Sequence, residues 1–377
     1  MFVYFFVIFV LYFLFFMEIM GYNEKKSRML FYIGAILVTF ILAFRGDNVG
    51  GDTMEYCDYF EGKWGPYGTV DDPNPEFGVG FVFFSQLLSF LFGPSRFVFI
   101  FITSILTIVP FLYIVWRDSK YKLMPLCLYM TCFFLLSLSQ TCIRQNVSLF
   151  FLFMLYILLT GKYGSSKWMY LGTPIMLVCS VLCHTTSVLT ILLALFVFLV
   201  PLNRLTSGLL VVISAVFMLT MPNFTNVLLD RFFFYFSIFE DVQHFTDYAF
   251  VSGMERKSGF VSIFTMTIFI CVYLRICSVK QLCNESLRSF PLKCLVWGVV
   301  FTFLLSGFQL GVRIVLFLTF MGITASPWEL TKINKIIFTV STITIMFFFA
   351  YNQIKYLAFS KSAITYDQLV PYNFIFE

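Results

Sequence analysis

The sequence predicts an all-α polytopic membrane protein, and three observations carry that prediction. Hydrophobic residues make up 60% of the 377 residues and charged residues only 12%, against about 25% charged in a soluble domain. Mean hydropathy is +0.89. Apolar runs of about 20 residues, the length that crosses a hydrocarbon core, recur from end to end. The polar stretches between them are too short for an independent soluble core, so residues 1–377 read as a single integral membrane domain.

The apolar segments in order are 2–20, 29–44, 77–92, 96–116, 122–139, 143–160, 168–183, 185–202, 208–222, 259–276, 292–308, 310–327 and 333–350. The first has neither a basic n-region nor a small-residue cleavage site, and reads as a retained helix. The turn 21–28 holds Lys25, Lys26 and Arg28, so the positive-inside rule makes it cytoplasmic. The N-terminus and the loop 45–76 are then outside. If segments 77–92 and 96–116 both cross, the turn holding Arg117, Lys120 and Lys122 lands outside and every later loop inverts. If 77–92 does not cross, that turn lands inside. So do the turns holding Lys162 and Lys167, Arg204, the group Arg275, Lys280, Arg288 and Lys293, and the pair Lys332 and Lys335.

Segment 77–92 is short, opens Phe77-Gly78-Val79-Gly80 and contains Ser85, Gln86 and Ser89. A re-entrant or interfacial segment is tolerated where it lines a cavity. The expected architecture is therefore about 12 transmembrane helices plus one re-entrant or interfacial segment. Both termini are outside, with two long outer loops, 45–76 and 223–258. Thirteen plain spans with a weak charge bias is the alternative.

Composition narrows function as well. The net charge of +5 follows from cytoplasmic loop bases and does not imply nucleic acid. The 53 phenylalanines suit lipid contact and packing. Ten cysteines are scattered without metal-ligand spacing, and only Cys57 lies clearly in a polar loop. P-loop, GxGxxG and GxSxG patterns are absent, so ATP-driven transport and nicotinamide chemistry have no support.

The first outer loop carries eight acids, Asp47, Asp52, Glu55, Asp58, Glu61, Asp71, Asp72 and Glu76, with Arg45 and Lys63. A polar loop of this length is a working surface more than a connector. Most of its acids read as solvated charges; Asp52 and Glu76 stand out. Arg45, at the exit of the second helix, suits anchoring or substrate binding equally. Arg144 and Gln145 sit at a tight turn before a helix, where a snorkelling arginine or a phosphate contact both fit. Arg313 is flanked by apolar residues and needs a partner or an anion. His184, one of two histidines, is either a hydrogen-bonded junction residue or a proton-transfer group. Tyr56, Tyr59, Trp64 and Tyr67 suit sugar stacking or an interfacial belt.

These residues resemble a family pattern, that of the EpsG-like, Wzy-type polysaccharide polymerases that make O-antigen, capsule and exopolysaccharide. Arg45, Val49-Gly50, Asp52 and Tyr56 look like its opening R…G-x-D-x-x-x-Y, and Glu76-Phe77-Gly78 like its E-x-G. Ile143-Arg144-Gln145 looks like its I-R-Q. His184-Thr185-Thr186-Ser187 is similar to its H-x-S, with Thr186 in place of Ser. Arg313-Ile314 is similar to its late R-I, and Pro371-Tyr372 to a tail P-Y. Asn146 and Ser148 depart from the small residues commoner after I-R-Q.

The resemblance implies a glycosyltransferase in the bacterial inner membrane. The donor is a growing glycan on an undecaprenyl diphosphate carrier, and the acceptor a lipid-linked repeat unit at the outer face. A chain-length regulator protein is a further implied partner, besides the bilayer itself. An acceptor hydroxyl attacks the anomeric carbon and lipid diphosphate leaves, so neither nucleotide cofactor nor metal is required. Arg45, Arg144, Gln145 and Arg313 then bind diphosphate or substrate, and His184, Asp52 or Glu76 supplies proton transfer. Two other readings stay open. One is a transferase using a polyprenyl monophosphate sugar with Asp47 and Asp52 central. The other is a lipid-linked glycan transporter.

Overall fold

The computed structural model describes residues 2–21, 23–50, 52–63, 77–131, 133–161, 167–220, 289–305 and 309–325, with a few positions between 336 and 347. Among these residues every regular element is a helix. Four helices are long and apolar enough to cross a membrane, Val3–Met20, Glu24–Ala43, Arg96–Asp118 and Ile143–Thr160, and shorter apolar helices accompany them. The second outer loop, the segment 259–276 and Pro371-Tyr372 lie outside the described residues.

The chain forms two compact units, Met1–Val188 with Phe349–Glu377, and Leu189–Phe348. In the first unit, α1 (Phe2–Met20) leads into α2 (Glu24–Ala43). The second helix starts ahead of its apolar run because Asn23 caps it, its side chain accepting from the Lys25 amide at 2.9 Å. Residues 53–60, expected as loop, form a short helix, α3 (Thr53–Phe60). Then come α4 (Val79–Phe92), α5 (Arg96–Asp118), α6 (Leu123–Thr131), α7 (Phe133–Thr141), α8 (Ile143–Thr160) and α9 (Lys167–Cys183).

Contacts fix the directions of these helices. At the end of α2, Phe44 packs on Phe97 and Phe101 near the start of α5. At its beginning, Arg28 lies over Trp116 near the end of α5, 5.8 Å from the ring centre. The two helices are therefore antiparallel, and the chain leaves α2 and enters α5 at the same end of the unit. With 14 residues, α4 is about 21 Å long, short of the roughly 30 Å hydrocarbon core.

The opposite end is tied by Glu18. Its carboxylate accepts from the Lys122 amide at 2.8 Å, from the Leu123 amide at 3.1 Å and from the Ser27 hydroxyl. A buried carboxylate is costly unless so satisfied, and here it also caps α6. The turn after α1, with Lys25, Lys26 and Arg28, and the turn after α5, with Arg117, Lys120 and Lys122, thus share one end. The last turn of α8 is there too, with Tyr156 donating to Asp118 at 3.1 Å and Arg117 to Thr160 at 2.5 Å. Its first turn, with Arg144, is at the other end.

The second unit contains most of α10 (Ser187–Leu199), with α11 (Arg204–Thr220), α12 (Phe290–Leu304) and α13 (Gln309–Thr324). Helices α12 and α13 pack closely where Gly322 meets Leu295; a Cβ on that glycine would stand 2.7 Å from the Leu295 Cα. Lys293 donates to the Phe198 carbonyl at 2.9 Å, and Thr190 to that of Ile314 at 3.2 Å.

Candidate functional site

The site is built at the corner between α7 and α8. The Gln140 carbonyl accepts from Arg45 Nη2 at 3.2 Å and from Thr53 Oγ1 at 2.9 Å. Arg45 also donates to the Leu42 carbonyl and to Ser104 Oγ, both at 2.7 Å, and is only 1% exposed. Gly50 runs against the same carbonyl. Its φ is +97°, and a Cβ there would be 2.6 Å from the Gln140 oxygen. Positive φ and close approach both demand glycine. The opening R…V-G pattern therefore stitches the loop to the backbone just before Ile143.

Asp52 stands immediately before α3, its carbonyl accepting from the Tyr56 amide at 3.1 Å and its side chain half-buried. The helix points Tyr56 into an aromatic cluster with Tyr59, Phe60, Phe77, Phe81 and Phe99. Tyr59 and Phe77 meet edge to face at 4.7 Å, and Phe60 stacks on Phe99 at 4.8 Å, geometries that aromatic quadrupoles favour. Tyr56 and Tyr59 are buried here rather than presented for stacking, because α3 folds onto α5. Cys57 is buried for the same reason.

Arg144, the second residue of α8, completes this corner. Its Nε donates to the Tyr56 hydroxyl at 2.9 Å, and its guanidinium lies 4.7 Å from the Phe77 ring centre and 5.7 Å from that of Tyr56. Both are cation–π distances. Burial pushes the Tyr56 phenol up to about 12, with the Arg144 charge pulling the other way and that of Asp52 adding to the rise. Gln145 is buried beside it, and Asn146 donates to the Ser139 carbonyl at 2.8 Å.

His184 follows α9. Its Nδ1 lies 3.3 Å from the Thr186 amide and 2.7 Å from Thr186 Oγ1. An amide N–H only donates, so Nδ1 accepts and the proton of the neutral ring is on Nε2. The helix end is brought to the cluster by Gly78, whose added Cβ would come 2.4 Å from the Leu182 carbonyl; the adjoining Cys183 belongs to the cluster. Ser148 bonds both Ser180, at 2.8 Å, and Ser187. Its departure from a small apolar residue is thus matched by two hydroxyl partners on the neighbouring helices.

Arg96 is the residue that sequence reasoning missed. Its Nε donates to Glu61 at 2.8 Å, and its two Nη groups to Asp47 and Asp58. Lys63 adds a second cation to Glu61 at 2.6 Å. These three acids are not freely solvated loop charges; they clasp α3 and the loop to the start of α5. Burial alone would raise Glu61, but hydrogen bonds from Lys63 and Arg96, and their charges, hold it below the usual carboxylate range. The readable signal was a base opening an apolar helix, unfavourable against the helix dipole unless nearby acids compensate.

Arg45, Asp52, Arg144, Gln145 and His184 therefore share one end of the first unit, opposite the basic turns. Glu76 lies outside the described residues. Arg313, half-buried on α13, belongs to the second unit.

Apolar helices packed together, four of them long enough to cross a membrane, with an arginine framed by aromatic rings at one end, define a helical membrane protein. The chain belongs to the EpsG family, whose model matches residues 28–374. That membership sets it among membrane proteins of polysaccharide-polymerase type. No curated protein and no solved structure matches it.

Proposed function

We propose that the protein is a polysaccharide polymerase of the bacterial inner membrane. It transfers a growing glycan from a polyprenyl diphosphate carrier onto a lipid-linked repeat unit at the outer face. The observation that carries this reading is Arg144, held by Tyr56 and Phe77 at the end of the unit opposite the basic turns. Positive-inside bias makes those turns cytoplasmic, and the Arg144 corner then faces outward. The chain leaves α2 and enters α5 at the same end of the unit, which supports the re-entrant reading of 77–92.

In the reaction an acceptor hydroxyl oxygen bonds to the anomeric carbon while the bond from that carbon to the diphosphate oxygen breaks. The leaving diphosphate takes the electron pair, and Arg144 is assigned to its developing charge; Arg313 is proposed as a substrate-binding cation of the second unit. The hydroxyl proton passes to a carboxylate, Asp52 or Glu76. His184, with the proton of its neutral ring on Nε2, serves better as a donor to an oxygen of substrate than as the base. Of the two roles open to Arg45, its carbonyl contacts favour anchoring. Asp47 is engaged by Arg96, which weighs against a monophosphate-sugar transferase centred on it.

Deleting the gene should leave surface or lipid-linked glycan capped at one repeat unit. Long polymer persisting in a strain with no second polymerase rejects the function. A cysteine in place of Lys120 should be labelled only from the cytoplasmic side; outward labelling rejects the topology.

A further inference from the structure

A neutral imidazole carries one proton, and the hydrogen bond made by one ring nitrogen decides that the other holds it. His184 Nδ1 has two donors against it, both from Thr186: the main-chain amide at 3.3 Å and Oγ1 at 2.7 Å. The amide can only donate, so Nδ1 holds no proton and the hydroxyl donates to it as well. The pairing is built into a closed turn. The Ser187 amide donates to the His184 carbonyl at 3.0 Å, and the Val188 amide to that of Thr185 at 3.1 Å, where the chain enters α10. Ser187 is also bonded to Ser148 of α8, and Thr186 is only 4% exposed. The lone pair of Nδ1 is therefore engaged within the turn, and Nε2 carries the ring's proton. Any oxygen that Nε2 meets, in the protein or in a substrate, it meets as a donor.

We propose that Thr186 is a positioning residue: it holds His184 in the tautomer with the proton on Nε2, and so closes both ring nitrogens to the proton of the acceptor hydroxyl. One nitrogen is occupied by two donors and the other by its own proton. The base of the transfer is then a carboxylate. That consequence rests on the polymerase reading above; the tautomer does not.

The test uses the full-length protein in lipid bilayers, with histidine isotopically labelled at both ring nitrogens. His244, the other histidine, is replaced by glutamine so that a single ring is read. Spectra are recorded at a pH well above the ordinary histidine range, where the ring is neutral. The parent and Thr186→Ser, which keeps the oxygen, should both show the Nε2–H form as the main one. Thr186→Val keeps the shape and the amide but loses the hydroxyl. It should shift the tautomer ratio roughly fivefold toward Nδ1–H, the scale of one hydrogen bond. Nδ1–H as the main form in the parent, or an unchanged ratio in Thr186→Val, overturns the assignment. Thr186→Ala serves with the same expectation where the valine variant does not fold. Polymer formation from lipid-linked repeat units in the same bilayers reads the consequence. His184→Gln, which keeps a donor, should slow it by no more than about tenfold, whereas loss of a general base costs about 100-fold or more. A loss on the larger scale, with the protein at the parent's level, makes His184 the base and overturns the proposal. If wild type forms no polymer, the polymerase reading falls, and the spectra alone decide whether Thr186 sets the tautomer.

Discussion

Arg96 and Arg144 stand at the same end of the first unit, each in the opening turn of a long apolar helix, and they are held in opposite ways. Three carboxylates surround Arg96. A phenol and a phenylalanine ring frame Arg144. Asp47, Asp58 and Glu61 meet Arg96 with opposite charge, whereas the Tyr56 hydroxyl and the Phe77 ring meet Arg144 as neutral groups. The first arrangement holds a loop. The second ties the short helix α3 to the start of α8, at the cation to which the proposed reaction assigns the diphosphate. Two arginines that look alike in the sequence are separated by the chemistry of their neighbours.

Removing each cation separates the two roles most directly. Arg144→Ala should abolish visible polymer while the protein stays at its normal membrane level. The loss of one strong transition-state contact is worth about 100- to 1000-fold in rate. Arg313→Ala is expected to do the same, and glycan gels with immunoblots of the membrane fraction measure both. Wild-type chain lengths from either variant would make that arginine an anchor.

Arg96→Ala should act on stability first, by about 2 kcal/mol, because it leaves three partly buried carboxylates facing one another. Thermal unfolding of the purified protein reads the loss. Neutralising Asp47 and Asp58 as asparagines in the same background should recover part of it. An unchanged unfolding temperature would dismiss the clasp.

A smaller effect is expected from acid. Glu61 is held below its ordinary value of 4.5 by Lys63 and Arg96. Its contribution is therefore complete above 4.5 and is lost as pH falls through the lowered value. Stability of wild type should drop more steeply across that window than that of Glu61→Gln; parallel curves would mean that Glu61 carries none of it. The smallest effect belongs to Arg204→Lys at the start of α11, where polymer length should not change. Shortened chains there would show that cytoplasmic turn bases do more than set topology.

Local patterns made the helices legible. The run 2–20 is recovered to the residue as α1, and 143–160 as α8. Arg144, Asp52 and His184 were also visible, because a charged or polar residue between apolar runs has few bland explanations. Pairings across long stretches of chain were not visible. Nothing near Arg96 in sequence announces Asp47 or Asp58, and nothing near Arg45 announces the Gln140 carbonyl. The acids of the loop looked interchangeable because solvation and clasping use the same residues. Helix α3 was hidden by its length, since eight residues do not make a helix by propensity alone. It forms because Tyr56, Cys57, Tyr59 and Phe60 find an aromatic wall to pack against.

The shared carbonyl of Gln140 has a mechanical consequence. One oxygen takes hydrogen bonds from the exit of α2 and from the start of α3, and four residues further along the same backbone comes Arg144. That oxygen acts as a fulcrum. A displacement of the loop 45–52 is passed to the start of α8 through two hydrogen bonds and four residues of chain. Loop and arginine are therefore coupled like the two arms of a lever.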